Sequence, residues 1–314
     1  MIEEAHPASQ KAASSPPARR PTPLSGRNSV AGRVKADLKG VPQTALWTLY
    51  HRATEAARPD TVLPDPRAVQ LVAEVDFPFR ERLGAARPWV AQAIALRALG
   101  FDGVVREFLA AHPDGTVIAL GEGLETQFWR VDNGRAQWVT VDLTDPLALR
   151  RRVLPHGTRQ RLVACDARDS QWMTGIDGSR GVLVTAQGLM MYLQPAQVTH
   201  LIATCAGAFP GGTMVFDTVS RRFSARTRAG AKGPGGHCLP PMPWGMDAAD
   251  RAQLRSVHPA VTDVADVPLP AGRGFLGYLA PRAAALPLLR RDRPLITRLR
   301  FAAAPAVAPV PGQP

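Results

Sequence analysis

The chain has 314 residues, a formal net charge of +12 and three cysteines, Cys165, Cys205 and Cys238, scattered without a C-x-x-C pair. That length accommodates one large α/β domain or two small ones, and the cysteine and histidine spacing excludes a disulfide framework or a zinc site and favours a reducing compartment. Residues 1–40 carry seven basic against three acidic side chains and residues 281–314 six against one, so nine of the twelve net charges sit at the ends, and no aromatic-basic interleaving marks a nucleic-acid platform.

Residues 1–38 are rich in Ala, Ser, Pro and Arg and poor in large apolar side chains, which predicts a disordered tail. There is no hydrophobic h-region and no apolar run of membrane-spanning length, so the expectation is a soluble, cytoplasmic protein that engages neither membrane nor nucleic acid. The folded part is expected over 39–302, with a helical lid over 39–110, a sheet core over 111–302, and a second tail over 303–314. Leu46, Leu49 and Tyr50 recur at helical spacing, with Ala53 and Ala57 continuing the face until Pro59. Asp65-Pro66 reads as an N-cap followed by a first-turn proline. A third helical region runs from Pro88 to Leu109, with Arg97 and Asp102 set among apolar residues. Arg97 there is either a solvated face residue or a planar fork turned toward a carboxylate.

The centre of the chain is Thr116 to Asp142. Val117 to Leu120 is a short apolar run suited to a strand buried on both faces. Gly121-Glu122-Gly123 follows at once and allows a sharp turn and close backbone approach. A second run, Trp138 to Val141, ends in Asp142, about 20 residues after the glycines, where a Rossmann-type unit places its ribose-binding carboxylate. The residues alone leave open a plain strand-to-helix turn. Thr126 stands where a nicotinamide fingerprint has its third glycine, which fits a nucleoside ligand without a pyrophosphate better than a dinucleotide.

Beyond Asp142 the chain alternates. A helix over Leu147–Val153 precedes a strand over Arg161–Cys165, which is followed by Asp166, Ala167, Asp169 and Trp172. A fourth strand, Gly181–Ala186, enters Gln187-Gly188-Leu189-Met190-Met191-Tyr192-Leu193. A helix opened by Gln194-Pro195 leads to a fifth strand, Thr213–Asp217. Regular alternation of this kind predicts a doubly wound, mostly parallel α/β sheet. Residues 221–245 are basic and rich in Gly and Pro, and read as an irregular excursion at the carboxyl end of the sheet. Val261–Val267 and Phe275–Leu279 read as closing strands.

The order of these motifs resembles the class I S-adenosylmethionine-dependent methyltransferases of the leucine carboxyl methyltransferase family, which includes polyketide O-methyltransferases. The carriers are the helix with Thr44-Ala45-Leu46 and Arg52-Ala53, Asp65-Pro66, Arg97 with Asp102, LGEGLETQFWR, VTVD, ACDARDSQW, QGLMMYL and the segment from Pro210-Gly211-Gly212 to Phe216-Asp217, spread over about residues 41–301. The resemblance implies an S-adenosylmethionine cofactor and a Rossmann-like fold with an N-terminal helical lid. It implies Arg97 on the methionyl carboxylate, Gly121 and Gly123 beside the methionyl part, and Asp142 on the ribose hydroxyls. Asp166 and Ala167 would border the adenine, and Gln187 would lie near the methionyl ammonium. The family usually reads G-A-G-L-D-T-R at the first loop and an acid at the Gln187 position, so Glu122, Glu125, Gln127 and Gln187 are departures. The implied reaction is O-methylation of a small-molecule acceptor. Tyr192 is a candidate to touch the acceptor, and Arg221, Arg222, Arg226 and Arg228 a candidate anion-attracting group. A non-enzymatic module of the same fold and a nicotinamide-dependent oxidoreductase are the competing readings, the second opposed by the absence of a Y-x-x-x-K pair.

Overall fold

The computed structural model describes residues 32–233, 239–274 and 295–304. The account below concerns the compact unit that begins at Arg33. The short strand β1 (Val34–Lys35) pairs in parallel with β2 (Val75–Asp76), and Leu38 is buried, so ordered contacts begin a few residues before the expected boundary at 39. After a 3-10 turn at Val41–Gln43 come α1 (Thr44–Ala56), α2 (Pro66–Glu74), the short α3 (Phe79–Leu83) and α4 (Pro88–Ala111). Asp65 caps α2 as its sequence predicts, its side chain accepting from the Ala68 N–H. The helix α4 continues unbroken through Gly100, which is buried, and a Cβ there would lie 3.0 Å from the Ile296 side chain. Its place is explained by a close helix-to-sheet approach that a larger residue would block.

The sheet strands are β3 (Thr116–Leu120), β4 (Gln137–Asp142), β5 (Gln160–Ala164), β6 (Val182–Ala186), β7 (Thr213–Thr218), β8 (Val261–Asp266) and β9 (Leu295–Phe301). Between them lie α5 (Gln127–Val131), α6 (Thr144–Val153), α7 (Pro195–Ala208) and α8 (Arg221–Arg228). The spatial order is β5-β4-β3-β6-β7-β9-β8, parallel throughout except for β9, which runs antiparallel to both neighbours. Alternation along the strands feeds two cores. Ile118, Leu120, Val182, Val184, Met214 and Phe216 pack with α7, while Val117, Ala119, Leu183 and Val215 pack with α4 and α5. Both faces are therefore buried, as near-continuous apolar runs require. The chain starts mid-sheet at β3, winds outward to β5, and returns to β6 on the other side of β3. That reversal makes a crevice at the carboxyl ends of β3 and β6, where open α/β sheets bind ligands.

The expected closing strand at Phe275–Leu279 lies outside the described residues, and β9 takes the place beside β7. Its sequence, LITRLRF, alternates large apolar and basic residues, the pattern of a half-buried strand. The 221–245 excursion is more regular than its composition predicts. Ser220 caps α8 by accepting from the Phe223 N–H, and Ser224 and Thr227 tie the helix to Met242. No described helix is long and apolar enough to cross a membrane.

The helices α1, α2 and α3 share an apolar core that also takes in Leu124 and the α6 residues Leu149 and Val153, and buried ion pairs join them to α4 and α5. Two buried guanidiniums and three carboxylates lock them down. Arg52 of α1 donates through Nε to Asp65 (2.9 Å), through Nη1 to Glu125 (2.9 Å) and through Nη2 to the Leu124 carbonyl (2.9 Å). Arg130 of α5 donates to Asp102 of α4 (2.8 and 3.0 Å) and, through Nη1, to Asp65 and Glu125 (2.8 Å each). Thr126 and Gln127 complete the set by donating to Asp65 and Asp102. Burial alone would push the Glu125 carboxyl up, but Arg52 and Arg130 outweigh it and hold it down at about 2. A group depressed in this way stabilises the fold above its ordinary value and loses that contribution as pH falls toward its folded value. Glu125→Gln should therefore destabilise the protein by about 3 kcal/mol at neutral pH. The gap from wild type in thermal melting should narrow as pH drops below about 4.5; a gap that stays constant with pH would refute the assignment.

Candidate functional site

A cavity of about 320 Å³ opens at the crevice, within the size range of small-molecule sites. Its floor comes from the loop after β3 and the ends of β4 and β6. One wall comes from the segment after β5, and the lid contributes Val41, Thr44, Ala45, Thr48 and Arg97. Every residue that the resemblance assigns to the cofactor lines it, and so does Tyr192: Arg97 from α4, Gly121 and Gly123 after β3, Asp142 ending β4, Asp166 and Ala167 after β5, Gln187 after β6, and Tyr192 beyond it; Arg221, Arg222, Arg226 and Arg228 do not.

Gly121 and Gly123 both have positive φ, at 62° and 52°. A Cβ on Gly121 would lie 3.1 Å from Leu189, and one on Gly123 would lie 2.9 Å from Cβ of Ala45. The second glycine thus serves the lid as well as the turn, since α1 sits directly over it. Its amide donates to Asp142 Oδ2 (2.7 Å), and the Leu143 amide donates to Oδ1 (2.7 Å). The carboxylate is pinned by these two N–H groups, and each oxygen keeps acceptor capacity toward the cavity. Burial pushes the Asp142 carboxyl above its ordinary value, against the two amides and Arg150.

Arg97 is largely buried and turned inward. Its Nη1 donates to Asp217 Oδ2 (3.0 Å), while its Nε is buried without a partner. The Nε/Nη2 edge of the fork therefore remains for a second carboxylate. Gly188, with φ at 73°, leaves room for the guanidinium: a Cβ there would sit 3.3 Å from Nη1. Arg97 does not pair with nearby Asp102, which is committed to Arg130. Asp217, at the end of β7, was not singled out from sequence. It also accepts from the Gly188 amide (2.5 Å), so one buried carboxylate fixes both Arg97 and the loop after β6. An acid closing an apolar strand at the carboxyl edge was the available signal, the same one that marks Asp142.

Asp166 reaches the cavity with its carboxylate held by Arg168 (2.5 Å) and by that residue's amide (2.9 Å); the Arg168 side chain holds it below the usual carboxylate range. The Ala167 carbonyl accepts from Trp172 Nε1 (3.1 Å), which anchors this wall to a fully buried indole. Gln187 donates through Nε2 to Glu125 Oε2 (3.1 Å), and its Oε1 is buried without a partner. Glu122 also lines the cavity, but its carboxylate is paired with Arg150 (3.0 Å) and hydrogen-bonded by Thr140 and Trp138, so it serves the loop's own structure. Burial pushes the Tyr192 phenol up, against Thr44 and Arg97. Among the described residues no histidine lines the cavity, and none of the lining residues comes from 221–245. The arginines of this segment, read as a candidate anion-attracting group, are thus not at the cavity: α8 contributes no lining residue, and Arg221 pairs with Asp250 (2.7 Å).

The fit to S-adenosylmethionine rests on three features of this wall. A carboxylate with spare acceptor capacity ends β4, the lining residue Arg97 has a buried Nε without a partner, and the lining residue Gln187 has a buried amide carbonyl without a donor. These suit ribose hydroxyls, a carboxylate and an ammonium respectively. Gly123→Ala should cost about 1–3 kcal/mol, from left-handed backbone and from displacing α1. Gly134→Ala, with φ at 80° but nothing within 4 Å, should cost only the backbone part. Urea denaturation that finds the two equal would show that α1 does not press on Gly123.

Residues 45–206, just over half of the chain, match the leucine carboxyl methyltransferase family. The tetracenomycin polyketide synthesis O-methyltransferase TcmP of Streptomyces glaucescens is 31% identical over 183 residues, 58% of this chain and 67% of that protein. The S-adenosyl-L-methionine-dependent methyltransferase dpfgK of Gibberella zeae is 28% identical over 196 residues, covering 58% of this chain and 65% of that protein. About a third of each relative thus lies outside the match. Among solved structures, an O-methyltransferase family protein from Burkholderia thailandensis aligns over 84% of this chain and 71% of its own, at 17% identity and a TM-score of 0.43.

Proposed function

This chain belongs to the leucine carboxyl methyltransferase family and takes S-adenosylmethionine as its methyl donor, and we propose that it methylates an oxygen of a small metabolite that arrives as a carboxylate or an acidic hydroxyl. The observation that carries the choice of acceptor is the state of the polar groups around the cavity. Asp217 is committed to Arg97, Asp166 to Arg168 and Glu125 to Arg52 and Arg130; Tyr192 is a neutral phenol, and no lining histidine is present among the described residues. Asp142 is held by two amides and taken up by the ribose on this reading, so none of the described lining residues is assigned as a general base and an acceptor that is already anionic fits best. The polyketide O-methyltransferase among the relatives supports an acceptor of small-molecule size.

When bound, S-adenosylmethionine supplies the activated methyl group, and the protein's contribution is alignment and exclusion of water. Asp142 would accept from the ribose hydroxyls, Arg97 would hold the methionyl carboxylate on its Nε/Nη2 edge, and Gln187 would meet the ammonium. Asp166 and Ala167 would border the adenine. Tyr192 would stand beside the acceptor as a wall and a hydrogen-bond donor rather than as a base. Thr44, Ala45 and Thr48 of α1 close the opposite side and keep bulk water from the reacting oxygen.

Asp142→Ala should weaken binding of S-adenosylhomocysteine by about 1.5–3 kcal/mol per lost hydrogen bond to the carboxylate, read by calorimetric titration. Transfer of labelled methyl to carboxylic acids and acidic phenols, with nucleic acids and proteins as parallel substrates, tests the acceptor. Label confined to nucleic acid or to protein nitrogen would overturn the reading. Tyr192→Phe should lower the rate by no more than about ten-fold, since a base contributes more than that.

A further inference from the structure

Glu125 and Gln187, two departures from the family pattern that lie 62 residues apart, touch each other: the Gln187 amide donates to Glu125 Oε2 at 3.1 Å. The same carboxylate accepts from Arg52, Arg130 and the Thr126 amide, so it is ionised and fully engaged as an acceptor. An ionised carboxylate offers no proton, so only the NH2 end of the Gln187 amide can face it. The amide's polarity is thereby decided. Its carbonyl must point the other way, and Oε1 is the end left buried without a donor in a residue that lines the cavity.

We propose that Glu125 is a positioning residue for the amino-acid end of the cofactor: it orients Gln187 so that the amide carbonyl, rather than the NH2 group, receives the methionyl ammonium. This rests on the cofactor reading above and adds the reason a neutral amide can stand where the family has an acid. The longer arm of glutamate at 125 reaches the amide, and its negative charge stays one side chain behind the carbonyl. An aspartate at 125 would fall short of the amide. An acid at 187 would then meet the Glu125 carboxylate at hydrogen-bond distance, where two like charges do not both remain ionised.

The test is calorimetric binding of two probes, S-adenosylhomocysteine and 5′-methylthioadenosine, the second keeping the nucleoside and thioether but lacking the amino-acid end. Gln187→Leu and Glu125→Asp should each weaken S-adenosylhomocysteine about ten-fold and leave methylthioadenosine within about two-fold. The double variant should lose no more than either single one, because Glu125 acts through Gln187. Gln187→Glu gives a second readout. Beside ionised Glu125 the new carboxyl is held protonated to higher pH, its hydroxyl replacing the amide NH2. The ammonium favours its ionised form, so affinity for S-adenosylhomocysteine should rise about ten-fold from pH 5.5 to 8 with proton release on binding, while wild type stays flat. Equal losses for both probes, additive losses in the double variant, or a flat profile for Gln187→Glu would each overturn the proposal. If Glu125→Asp does not fold, the Gln187→Glu profile decides alone. Wild type that binds neither probe would instead overturn the cofactor reading.

Discussion

The cluster of Arg52, Arg130, Asp65, Asp102 and Glu125 is the constraint on which the site depends. It joins α1, the cap of α2, α4 and α5 to the loop that follows β3, with every pairing at 2.8–3.0 Å and nearly no solvent exposure. A buried ion cluster is a poor source of net stability, because desolvation offsets most of its attraction. Its use is geometric. Each guanidinium presents fixed donors that accept one arrangement of carboxylates, so the lid has one seating on the nucleotide loop. Arg150 repeats the device on the other side of the loop, donating to the Gly123 and Glu125 carbonyls (2.9 and 2.7 Å).

That seating determines the cavity. Ala45 rests over Gly123, Gly123 donates to Asp142, and Glu125 continues into Gln187, so the lid and the ends of β3, β4 and β6 form one connected unit. A second unit, Asp217 with Arg97 and the Gly188 amide, fixes the far end. Between them the described polar groups around the cavity would, on the proposed reading, serve as acceptors for hydroxyls and ammonium and as a fork for a carboxylate, with none assigned to take a proton. The chemistry assigned to the site follows from that allocation more than from any one residue.

Much of this was legible in the sequence, for a physical reason. Arg52 is the arginine of the Thr44-Ala45-Leu46 to Arg52-Ala53 helix motif, Arg130 ends LGEGLETQFWR, and Asp65 and Asp102 are the acids of the lid motifs, so the residues of the buried cluster are among those that carry the family resemblance. The alternation of strands with helices and the acid ending β4 placed the sheet and its carboxyl edge. What was not legible needed tertiary contact. The partner of Arg97 lies 120 residues away on β7, and the Gln187–Glu125 contact spans the crevice. The packing of Gly100 inside α4 shows only when Ile296 is seen against it. The Gly- and Pro-rich composition of 221–245 concealed α8, whose capping serine and buried Ser224 and Thr227 are local polar signals rather than apolar periodicity. β1 and β2 are two-residue strands held by pairing to each other, which no local pattern announces.

The central claim, that one preorganised wall reads the cofactor from ribose to amino acid, is tested most directly by a crystal structure with S-adenosylhomocysteine. The account predicts both ribose hydroxyls on the Asp142 carboxylate and the homocysteine carboxylate on the Nε/Nη2 edge of Arg97, with Asp217 still on Nη1. A ligand whose ribose lies away from Asp142, or whose carboxylate is bound by a residue other than Arg97, would contradict it.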